Sequence, residues 1–589
     1  MPGINFQRNN LEGALSPYLR QHADNPVWWQ EWSSEVIEYA RQTEKLLFVS
    51  VGYSTCHWCH VMAGEAFSDA SAAQYLNEDF VSIKVDREER PDIDTFLMRY
   101  LIALTGSGGW PLNAFLTPRL DPVYAFTYAP LGSVQQPGFL YILNKVRDYY
   151  QTKKGRFEPF VMNEVSPLPG LEMELIEKCY SRFDRISGGF GEGPKFPPHC
   201  TLLFLLYFAE GKDPRQHEML EVTLNEMLKG GLSDHLQGGF YRYCVDRSWT
   251  IPHFEKMLYD QALLLWVLCL GYRVLGNEVY KLAALKVIRC LEETFALDGL
   301  YRAGFDADTE HEEGATYVWD SKELSRVLTP EEFKAFTDLY LVSPEGNFEQ
   351  HNHLIKKELV SLEAIENKLL AIRRARVQPF ADNKLMTAWN ALTGIAYVQA
   401  FRYLGDAVYL QRAESIAKAL LAKHYDGVRL ARCSIDGIVS QGAFCEDAAA
   451  LLLLLTFLQE ETVEYADSMS VFKSYLESFR RNDGWEEASL TDLCPVMAGS
   501  FDHPVPSSVA LAELALARAA VLTGTPLGTM AYVQPVHHDA LNIAVLVRNG
   551  SFHLIKAPVK LPWQIVPVNT IQLKGEKPED CYRGACRKL

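Results

Sequence analysis

The chain has 589 residues, of which 48% are hydrophobic and 22% charged, and its formal net charge is −17. This length and apolar content suffice for two or more domains with cores of their own. The negative charge argues against nucleic acid as a partner, because proteins that follow phosphates concentrate basic side chains. No uninterrupted apolar run reaches the ~18–20 residues of a membrane helix, so we expect no membrane partner.

An apolar run at residues 46–51 leads into the sequence Cys56-x-x-Cys59, the arrangement of a thioredoxin active site. A helix that begins at these cysteines would place the first sulfur at the positive end of its dipole, which favours the thiolate. We therefore predict that Cys56 attacks a disulfide and that Cys59 resolves the mixed disulfide.

Other interpretations fit the same residues. Cys56, Cys59 and His60 match the attachment motif of c-type haem, and together with His57 they are possible zinc ligands. The start of the chain lacks the basic and apolar regions of a signal peptide, which an exported haem protein needs, and no second ligand pair follows at zinc-finger spacing. A thioredoxin-like module with inactive cysteines remains an alternative. We expect no metal and no cofactor.

The cysteines number twelve and are mostly single within apolar stretches, as at Cys179, Cys269 and Cys290. This distribution is typical of reduced thiols packed in cores. We therefore expect a cytoplasmic location.

The residues after the cysteines have the pattern expected of the rest of a thioredoxin-like domain. Residues 69–79 have helical spacing, and residues 80–86 alternate like a strand that is covered on one side. A glycine-rich loop then leads to Trp110 and Pro111, where a cis peptide bond is plausible because only X-Pro bonds make it cheap. In a thioredoxin fold such a proline faces the cysteines, so we predict that Trp110 and Pro111 line a substrate site. An ordinary trans turn is the alternative.

Several long strings resemble the spermatogenesis-associated thioredoxin-domain family over most of the chain. They are residues 16–27, 52–62, 84–92, 108–112, 188–190, 194–197, 234–240 and 252–260. The resemblance implies a thioredoxin-like α/β domain followed by an all-α (α/α)6 toroid of the six-hairpin glycosidase type, but no particular reaction. We assign residues 1–165 to the first domain, 170–525 to the toroid and 526–589 to a small α/β tail, with a linker at 155–169.

The pattern beyond about residue 170 agrees with a helical toroid. Four segments are apolar nearly all round, as inner helices are: residues 202–208, 262–275, 392–403 and 448–458. A glycine turn follows helical segments six times, at Gly188-Gly189, Gly238-Gly239, Gly299, Gly346, Gly427 and Gly484. Six helical hairpins close a ring, whereas unrelated helix stops are the alternative interpretation.

A first polar group is predicted to face the cavity of the toroid. In residues 252–260, helical spacing would place His253, Lys256 and Asp260 on one face. We predict His253 as a catalytic residue and Lys256 and Asp260 as substrate ligands. An internal salt-bridge network that holds the hairpins together is the alternative.

A second polar group lies in the acidic stretch at residues 304–314. It is not a calcium loop, because His311 and Tyr317 replace the required glycine and glutamate. Asp306 and Asp308 are candidates for the general acid and base of glycoside chemistry, or for ligands that only hydrogen-bond hydroxyl groups. A solvated acidic loop is the alternative.

Further candidates for substrate binding are Asp382, which lies close to Lys384, then Trp389, Glu446 and Asp447. Acidic side chains at the start of a helix also fit a capping role. Neither a phosphate-binding glycine loop nor a nucleophile elbow is found in the sequence.

Near the end of the chain, residues 542–548 and 551–555 flank Asn549-Gly550, a strong signal for a β-hairpin. Cys581 and Cys586 follow, either as a second redox pair or as exposed thiols without a role, and we favour the latter.

Two hypotheses for the function follow. In the first, thiol–disulfide chemistry at Cys56 and Cys59 is combined with a sugar-binding or sugar-modifying toroid, so that the partners are a small carbohydrate and a thiol or disulfide protein. In the second, the chain is a non-catalytic, redox-linked binding or regulatory protein that uses the toroid to recognise a ligand or a protein.

Overall fold

The computed structural model describes residues 5–153, 157, 160, 167–208, 213–482, 484–490, 492–502 and 504–589. Contacts divide the chain into two compact units. The first consists of Met1–Val165, Ile435–Ala443 and Glu486–Met497, and the second of Ser166–Ser434, Phe444–Trp485 and Ala498–Leu589. The linker predicted at residues 155–169 lies mostly outside the described residues.

The first unit is a thioredoxin-like α/β fold, as predicted. Its helices are α1 (Pro17–Arg20), α2 (Ser34–Thr43), α3 (His57–Gly64), α4 (Ala70–Asp79), α5 (Pro91–Thr105) and α6 (Phe139–Lys153). Its sheet consists of β1 (Gln30–Glu31), β2 (Leu46–Gly52), β3 (Phe80–Asp86), β4 (Leu112–Leu116) and β5 (Pro122–Phe126). The strand order is β1-β3-β2-β4-β5; β1, β3 and β2 run parallel, and β4 is antiparallel to both of its neighbours.

The central strands β2 and β3 are buried along their whole length. Residues of α3, α4 and α6 pack in one core cluster, and residues of α2 and α5 pack in the other. The prediction that β3 is covered on one side only is therefore wrong, because helices cover both faces of the sheet. As a result Ser82 and Lys84, whose alternation suggested an exposed face, are buried.

The second unit is built mainly from helices. They are α7 (Leu175–Arg182), α8 (His199–Tyr207), α9 (Pro214–Lys229), α10 (Leu258–Leu275), α11 (Glu278–Cys290), α12 (Ser321–Val327), α13 (Pro330–Leu339), α14 (Glu363–Arg374), α15 (Thr387–Leu404), α16 (Ala407–Lys423), α17 (Cys445–Thr462), α18 (Ala466–Glu477), α19 (Ser508–Thr523) and α20 (Asp539–Arg548). Helices α8, α10, α15, α17, α19 and α20 form a closed ring, in which each packs on the next and α20 packs back on α8. Helices α9, α11, α16 and α18 lie outside this ring. The unit is thus an α/α toroid.

The inner helices are buried almost all round because their sequences are apolar on every face. Helix α10 is long and apolar enough, by length and composition alone, to cross a membrane. Since 78% of it is buried inside the protein, it packs as a core helix of the ring.

The inner helices begin at the same end of the ring. The Thr201 hydroxyl in α8 donates to the Asp539 carboxylate at the start of α20 over 2.6 Å. Likewise the Ala388 N–H in α15 donates to the Asp447 carboxylate in the first turn of α17 over 3.0 Å. We call the end formed by the first turns of the six inner helices the ring mouth.

Short strands connect the helices of the second unit. They are β6 (Tyr243–Cys244), β7 (Pro252–His253), β8 (Lys256–Met257), β9 (Ala296–Leu297), β10 (Leu300–Tyr301), β11 (Gly304–Phe305), β12 (Asp308–Thr309), β13 (Glu312–Glu313), β14 (Ala381–Asp382), β15 (Leu385–Met386), β16 (Cys433–Ile435), β17 (Ile438–Val439), β18 (Arg480–Arg481) and β19 (Gly484–Trp485). Of these, the last residue of β16 and all of β17 belong to the first unit. The tail carries β20 (His553–Ala557), β21 (Thr570–Lys574), β22 (Glu579–Tyr582) and β23 (Ala585–Lys588) in the order β21-β20-β22-β23.

The hairpin predicted around Asn549-Gly550 is wrong in its first half. Residues 542–548 belong to α20, which closes the ring, and only β20 on the other side of the turn is a strand. A short run that is apolar on every side fits a buried helix as well as a buried strand. The ring therefore includes residues beyond 525, in the range that we assigned to the tail.

The predicted glycine turns occur where helices end, but not as six equivalent repeats. Five of them follow the helices α7, α9, α11, α16 and α18 or their extensions. Gly346 instead follows α13, within the insertion between α11 and α15. No described helix precedes α20 as an outer partner, so the sixth hairpin is incomplete within the described residues.

Candidate functional site

The predicted cysteine pair lies at the first turn of α3. Cys56 is the residue that caps this helix, and its sulfur accepts the backbone N–H of Cys59 over 3.3 Å. The two sulfurs are joined in a disulfide with the Cα atoms 5.2 Å apart. The sequence places the pair here because β2 ends at Gly52 and leaves a short loop before the helix.

The disulfide itself is almost enclosed, whereas Trp58, which lies between its two cysteines in the sequence, is exposed. Cys56 and Cys59 are 3% and 1% exposed, whereas Trp58 between them is 43% exposed. The Trp58 ring lies 5.1 Å from that of Tyr128, whose hydroxyl donates to Glu65 over 2.7 Å. An aromatic surface therefore borders the disulfide.

The Trp110-Pro111 peptide bond is cis, as the sequence suggested. The indole N–H of Trp110 donates to Asp94 over 2.8 Å, and the Arg87 guanidinium lies 4.0 Å from the Trp110 ring. Trp110 also meets the Tyr53 ring edge-on at 6.1 Å. Because Tyr53 belongs to the loop that carries Cys56, the cis-proline loop and the cysteine loop are neighbours.

His253, Lys256 and Asp260 do not form one helical face. Residues 252–257 are extended in β7 and β8, and α10 begins only at Leu258. Helical spacing therefore does not apply to the first two residues, and the predicted face is wrong. The three side chains have different nearest partners.

Lys256 is part of a buried ionic network. Its amine is 2.6 Å from the Asp234 carboxylate, which also holds the Arg373 guanidinium at 2.7 Å. Burial opposes ionisation of Asp234, but Arg373 and Lys256 together hold its pKa well below the usual value. For Lys256 the structure thus favours the salt-bridge alternative over a role as substrate ligand.

His253 and Asp260 have different partners at the ring mouth. The Nδ1 atom of His253 is 2.5 Å from a Glu313 carboxylate oxygen. Asp260, in the first turn of α10, lies 3.2 Å from Nε2 of His199 in the first turn of α8. Burial raises the pKa of Asp260, while His199 opposes this shift.

Asp306 and Asp308 lie next to the strand pair that carries Glu313. The Asp306 side chain is buried and accepts the N–H of Asp308 over 3.2 Å. Asp308 is opposite Glu313 in the β12–β13 pair. The loop is therefore folded back on itself, so the alternative of a fully solvated acidic loop is wrong for Asp306.

The remaining predicted ligands are buried near the starts of α15 and α17. Asp382 lies 3.3 Å from the Lys384 amine, and both side chains are enclosed. The Trp389 ring meets Tyr259 of α10 edge-on at 4.8 Å.

Glu446 and Asp447 share one partner, the buried Arg432. Its guanidinium bonds to Glu446 and lies 3.2 Å from Asp447. Burial raises the pKa of Asp447, although Arg432 opposes the shift. Asp447 also accepts the backbone N–H of Ala388 in α15, so it links α17 to α15.

The sequence analysis missed an aromatic and ionic group beside His253. The Phe196 and Tyr243 rings stack at 4.3 Å, and the Tyr243 ring lies 4.7 Å from the His253 ring. Arg242 donates to Glu255 over 2.8 Å within the same segment. Phe196 belongs to a string that carried the family resemblance, but nothing in its spacing indicates that it meets Tyr243.

Two carboxylates near the start of α20, Asp502 and Asp539, were also missed. Burial raises the pKa of Asp502 to about 7 and that of Asp539 to about 6, while hydrogen bonds to their oxygens oppose both shifts. Asp502 accepts the N–H groups of Ser507 and Ala540. The sequence analysis predicted a strand at residues 542–548 and made no prediction for Asp502 or Asp539, so it gave no reason to place them together.

Cys581 and Cys586 are joined in a disulfide across the paired strands β22 and β23. Our preference for exposed free thiols is therefore wrong. The residues are directly opposite each other in the antiparallel register, a relation that follows from the turn between them.

The fold and the cysteine site define a class: a thioredoxin-like unit with a Cys-x-x-Cys disulfide, joined to a helical toroid. A family model described as "Thioredox_DsbH: Protein of unknown function, DUF255" matches residues 8–165. The chain is 32% identical to spermatogenesis-associated protein 20 of Rattus norvegicus, over 94% of this chain and 79% of the relative. It is 33% identical to the uncharacterized protein B0495.5 of Caenorhabditis elegans, over 76% of this chain and 71% of the relative. The chain therefore belongs to the spermatogenesis-associated protein 20 family.

Among solved structures, a D-mannose isomerase is 12% identical and aligns with a TM-score of 0.40. The alignment covers 60% of this chain and 80% of the isomerase. An alignment at this identity and TM-score carries no argument about the fold. We therefore assign the toroid from the closed ring of inner helices in this protein.

Proposed function

We propose that the protein is a thiol–disulfide oxidoreductase whose reacting pair is Cys56 and Cys59. The observation that carries this proposal is the disulfide at the first turn of α3, where the Cys56 sulfur accepts the Cys59 N–H. A sulfur at a helix N-terminus is stabilised as the thiolate by the helix dipole and by unpaired N–H groups. In the reduced protein Cys56 is then the better nucleophile of the two.

The reaction follows from this assignment. The Cys56 thiolate attacks one sulfur of a partner's disulfide, and the other partner sulfur leaves as a thiolate. Cys59 then loses its proton and attacks the Cys56 sulfur, which releases the second partner thiolate. The partner gains two electrons, and the protein returns to the disulfide form. We propose a protein disulfide as the partner, because the exposed Trp58 offers it an apolar contact beside the cysteines.

Trapping of the mixed disulfide tests this proposal. Cys59→Ser removes the resolving thiol, and Cys494→Ser in the same protein removes the one exposed free thiol among the described cysteines. After incubation with oxidised glutathione, we expect peptide mapping to find the adduct on Cys56. The matched control is Cys56→Ser in the same background. Modification of Cys56 no faster than that of the buried Cys290 would contradict the proposal.

We propose as a second function that the ring mouth binds a sugar or a sugar derivative. The observation in favour is the stack of the Phe196 and Tyr243 rings, which lies next to the His253–Glu313 pair. Phe196 is 39% exposed and is therefore open to a ligand. An aromatic surface with a few convergent polar groups is the usual composition of a small-molecule site. His253 and Glu313 can exchange a proton at their 2.5 Å separation, which suits acid–base chemistry on a hydroxyl or carbonyl.

A thermal-shift screen with sugars and sugar phosphates, on oxidised and reduced protein, tests the second function. We expect a stabilising ligand for the wild type and loss of its effect in His253→Gln and Tyr243→Ala. The matched control, His217→Gln, changes an exposed histidine on the outer helix α9 of the same unit and should keep the effect. Binding with turnover would favour an enzyme, and binding without turnover would favour the non-catalytic alternative. The absence of a shift with every sugar would contradict a carbohydrate site.

A further inference from the structure

A lysine lies within the apolar core of the thioredoxin-like unit. Lys84, in the middle of β3, is 1% exposed. Its amine is 3.0 Å from the Ser50 hydroxyl, which is directly opposite in β2, and 3.1 Å from the Tyr18 hydroxyl. The rings of Tyr18, Trp29 and Phe67 surround the amine with centroids at 5.1, 4.9 and 4.4 Å.

This lysine has no acidic partner to stabilise an ammonium. Among the residues that the structure describes, no carboxylate lies within ion-pair distance of Lys84. Desolvation lowers the pKa of its amine well below the usual value. A buried ammonium without a counter-charge is costly, so the neutral amine, which has a free lone pair, is the form that this environment favours. A leucine or methionine would fill the same space without that cost, and a structural role therefore does not explain the residue.

The Tyr18 hydroxyl lies near both Lys84 and the disulfide. A Cβ placed on Gly52 would lie 2.5 Å from the Tyr18 hydroxyl oxygen and 2.7 Å from the Cys59 sulfur. The hydroxyl and the sulfur are thus neighbours that share the space left open by this glycine. Cys59, the predicted resolving residue, is next to Tyr18, and Tyr18 is hydrogen-bonded to Lys84.

We propose that Lys84, acting through the Tyr18 hydroxyl, accepts the proton of the Cys59 thiol during resolution of the mixed disulfide. This inference rests on the proposed oxidoreductase function and assigns it a proton acceptor. Lys84 touches neither reacting sulfur, so it is a positioning residue for the proton, and Tyr18 is the relay between them.

The step balances in bonds and charges. The Cys59 S–H bond breaks, its proton passes to the Tyr18 oxygen, and the proton of Tyr18 passes to the lone pair on Lys84. The Cys59 thiolate forms the S–S bond to Cys56, and the bond between Cys56 and the partner breaks. The partner sulfur leaves with the electron pair and takes a proton from water, and the Lys84 ammonium afterwards returns its proton to solvent.

Other titratable groups near the relay have to be separated from it. His22 packs against the Tyr18 ring, and burial lowers its pKa well below the usual value. Asp86 in β3 accepts a hydrogen bond from the Ser16 hydroxyl. Burial and the charge of Asp86 raise the pKa of Tyr18. His60 of α3 meets the Ser54 carbonyl over 2.9 Å. These groups face Tyr18 or the cysteine loop, but none of them is hydrogen-bonded to Lys84.

The test measures the two chemical steps separately in the full-length protein. Lys84→Met and Tyr18→Phe remove the acceptor and the relay, and the exposed Lys145→Met is the matched control. Stopped-flow measurements from pH 5 to 10 follow release of a chromogenic thiol by Cys56 in a Cys59→Ser background, and then resolution of the mixed disulfide with Cys59 present. Positioned proton acceptors contribute about 10²–10⁴-fold to a rate. We expect resolution at neutral pH to slow at least about tenfold in both variants, and its pH profile to move to higher pH, while the first step stays unchanged.

The outcomes are distinguishable. If resolution keeps its rate and its pH profile in both variants, the relay is wrong and the oxidoreductase function stands. If Cys56 forms no mixed disulfide even with Lys84 and Tyr18 in place, the proposed function is wrong and the relay falls with it. Should Lys84→Met fail to fold, Tyr18→Phe keeps the ring in the core and still removes the hydroxyl. The apparent pKa of the Cys59 thiol, from alkylation of reduced protein against pH, is the second readout and should rise in both variants.

Discussion

Replacement of Asp234 by asparagine should destabilise the toroid strongly. Asp234 is buried, and its carboxylate compensates two buried cations, the Lys256 amine at 2.6 Å and the Arg373 guanidinium at 2.7 Å. It also accepts the backbone N–H groups of Leu236 and Gln237 through Oδ1. Asparagine keeps an oxygen for these N–H groups, so the substitution removes the charge with little change in shape.

The magnitude follows from the burial of the two partners. Lys256 and Arg373 side chains are 2% and 5% exposed, so water cannot replace the lost carboxylate. Removal of one partner from a buried ion pair costs roughly 3–5 kcal/mol. The total stability of a domain is about 5–15 kcal/mol, so this single change should remove a large fraction of it.

The matched comparison is Asp184→Asn, because Asp184 occupies the equivalent place before the preceding glycine pair. It is paired with the buried Lys195 and with Arg247, whose side chain is 44% exposed. Since water can reach Arg247, the loss should be smaller than for Asp234→Asn. Urea unfolding followed by circular dichroism measures both. A loss below about 1 kcal/mol for Asp234→Asn, within the range of exposed pairs, or the reverse order of the two variants, would refute this reasoning.

Three further predictions concern other parts of the molecule. Burial raises the pKa of Asp502 in the folded state to about 7, above its value in the unfolded state, so the folded protein binds more protons than the unfolded chain between these two pKa values. The free energy of unfolding should therefore fall as pH rises from about 4 to 7. Asp502→Asn should flatten that slope in urea unfolding. Gly52→Ala should lower the melting temperature, since its Cβ would meet the Cys59 sulfur at 2.7 Å, at a cost of roughly 1–3 kcal/mol. Joint replacement of Cys581 and Cys586 by serine should speed hydrogen exchange in the β22–β23 pair, because closing so short a loop is worth about 2 kcal/mol; unchanged exchange would contradict that.

The sequence predicted the thioredoxin-like unit well because its signals are local. The cysteines precede a helix, Pro111 follows a glycine-rich loop, and the apolar runs are as long as strands. Burial of Lys84 was not predictable in the same way. A lysine in an alternating strand indicates an exposed face, and the helices that cover this face lie elsewhere in the chain.

The toroid was predictable in its architecture but not in its contacts. All-round apolar helices and repeated glycine turns indicate a ring. The ionic network of Lys256, however, combines Asp234 from the same α9–α10 connection with Arg373 of α14, and the interaction of Asp234 with Arg373 spans 139 positions. Local spacing also misassigned residues 252–257 as helical, because a charged turn before an apolar helix has the same pattern whether its backbone is helical or extended.

The most direct test of the central claim is a redox titration of the Cys56–Cys59 pair in the full-length protein. The protein is equilibrated in thiol–disulfide buffers of defined potential and alkylated, and the peptides are quantified by mass spectrometry. An oxidoreductase pair should convert reversibly in one two-electron transition at a potential above about −300 mV, the range in which catalytic disulfides lie. If the pair instead stays oxidised down to that potential, or if Cys56 and Cys59 alkylate independently of each other, the disulfide is structural and the account is contradicted.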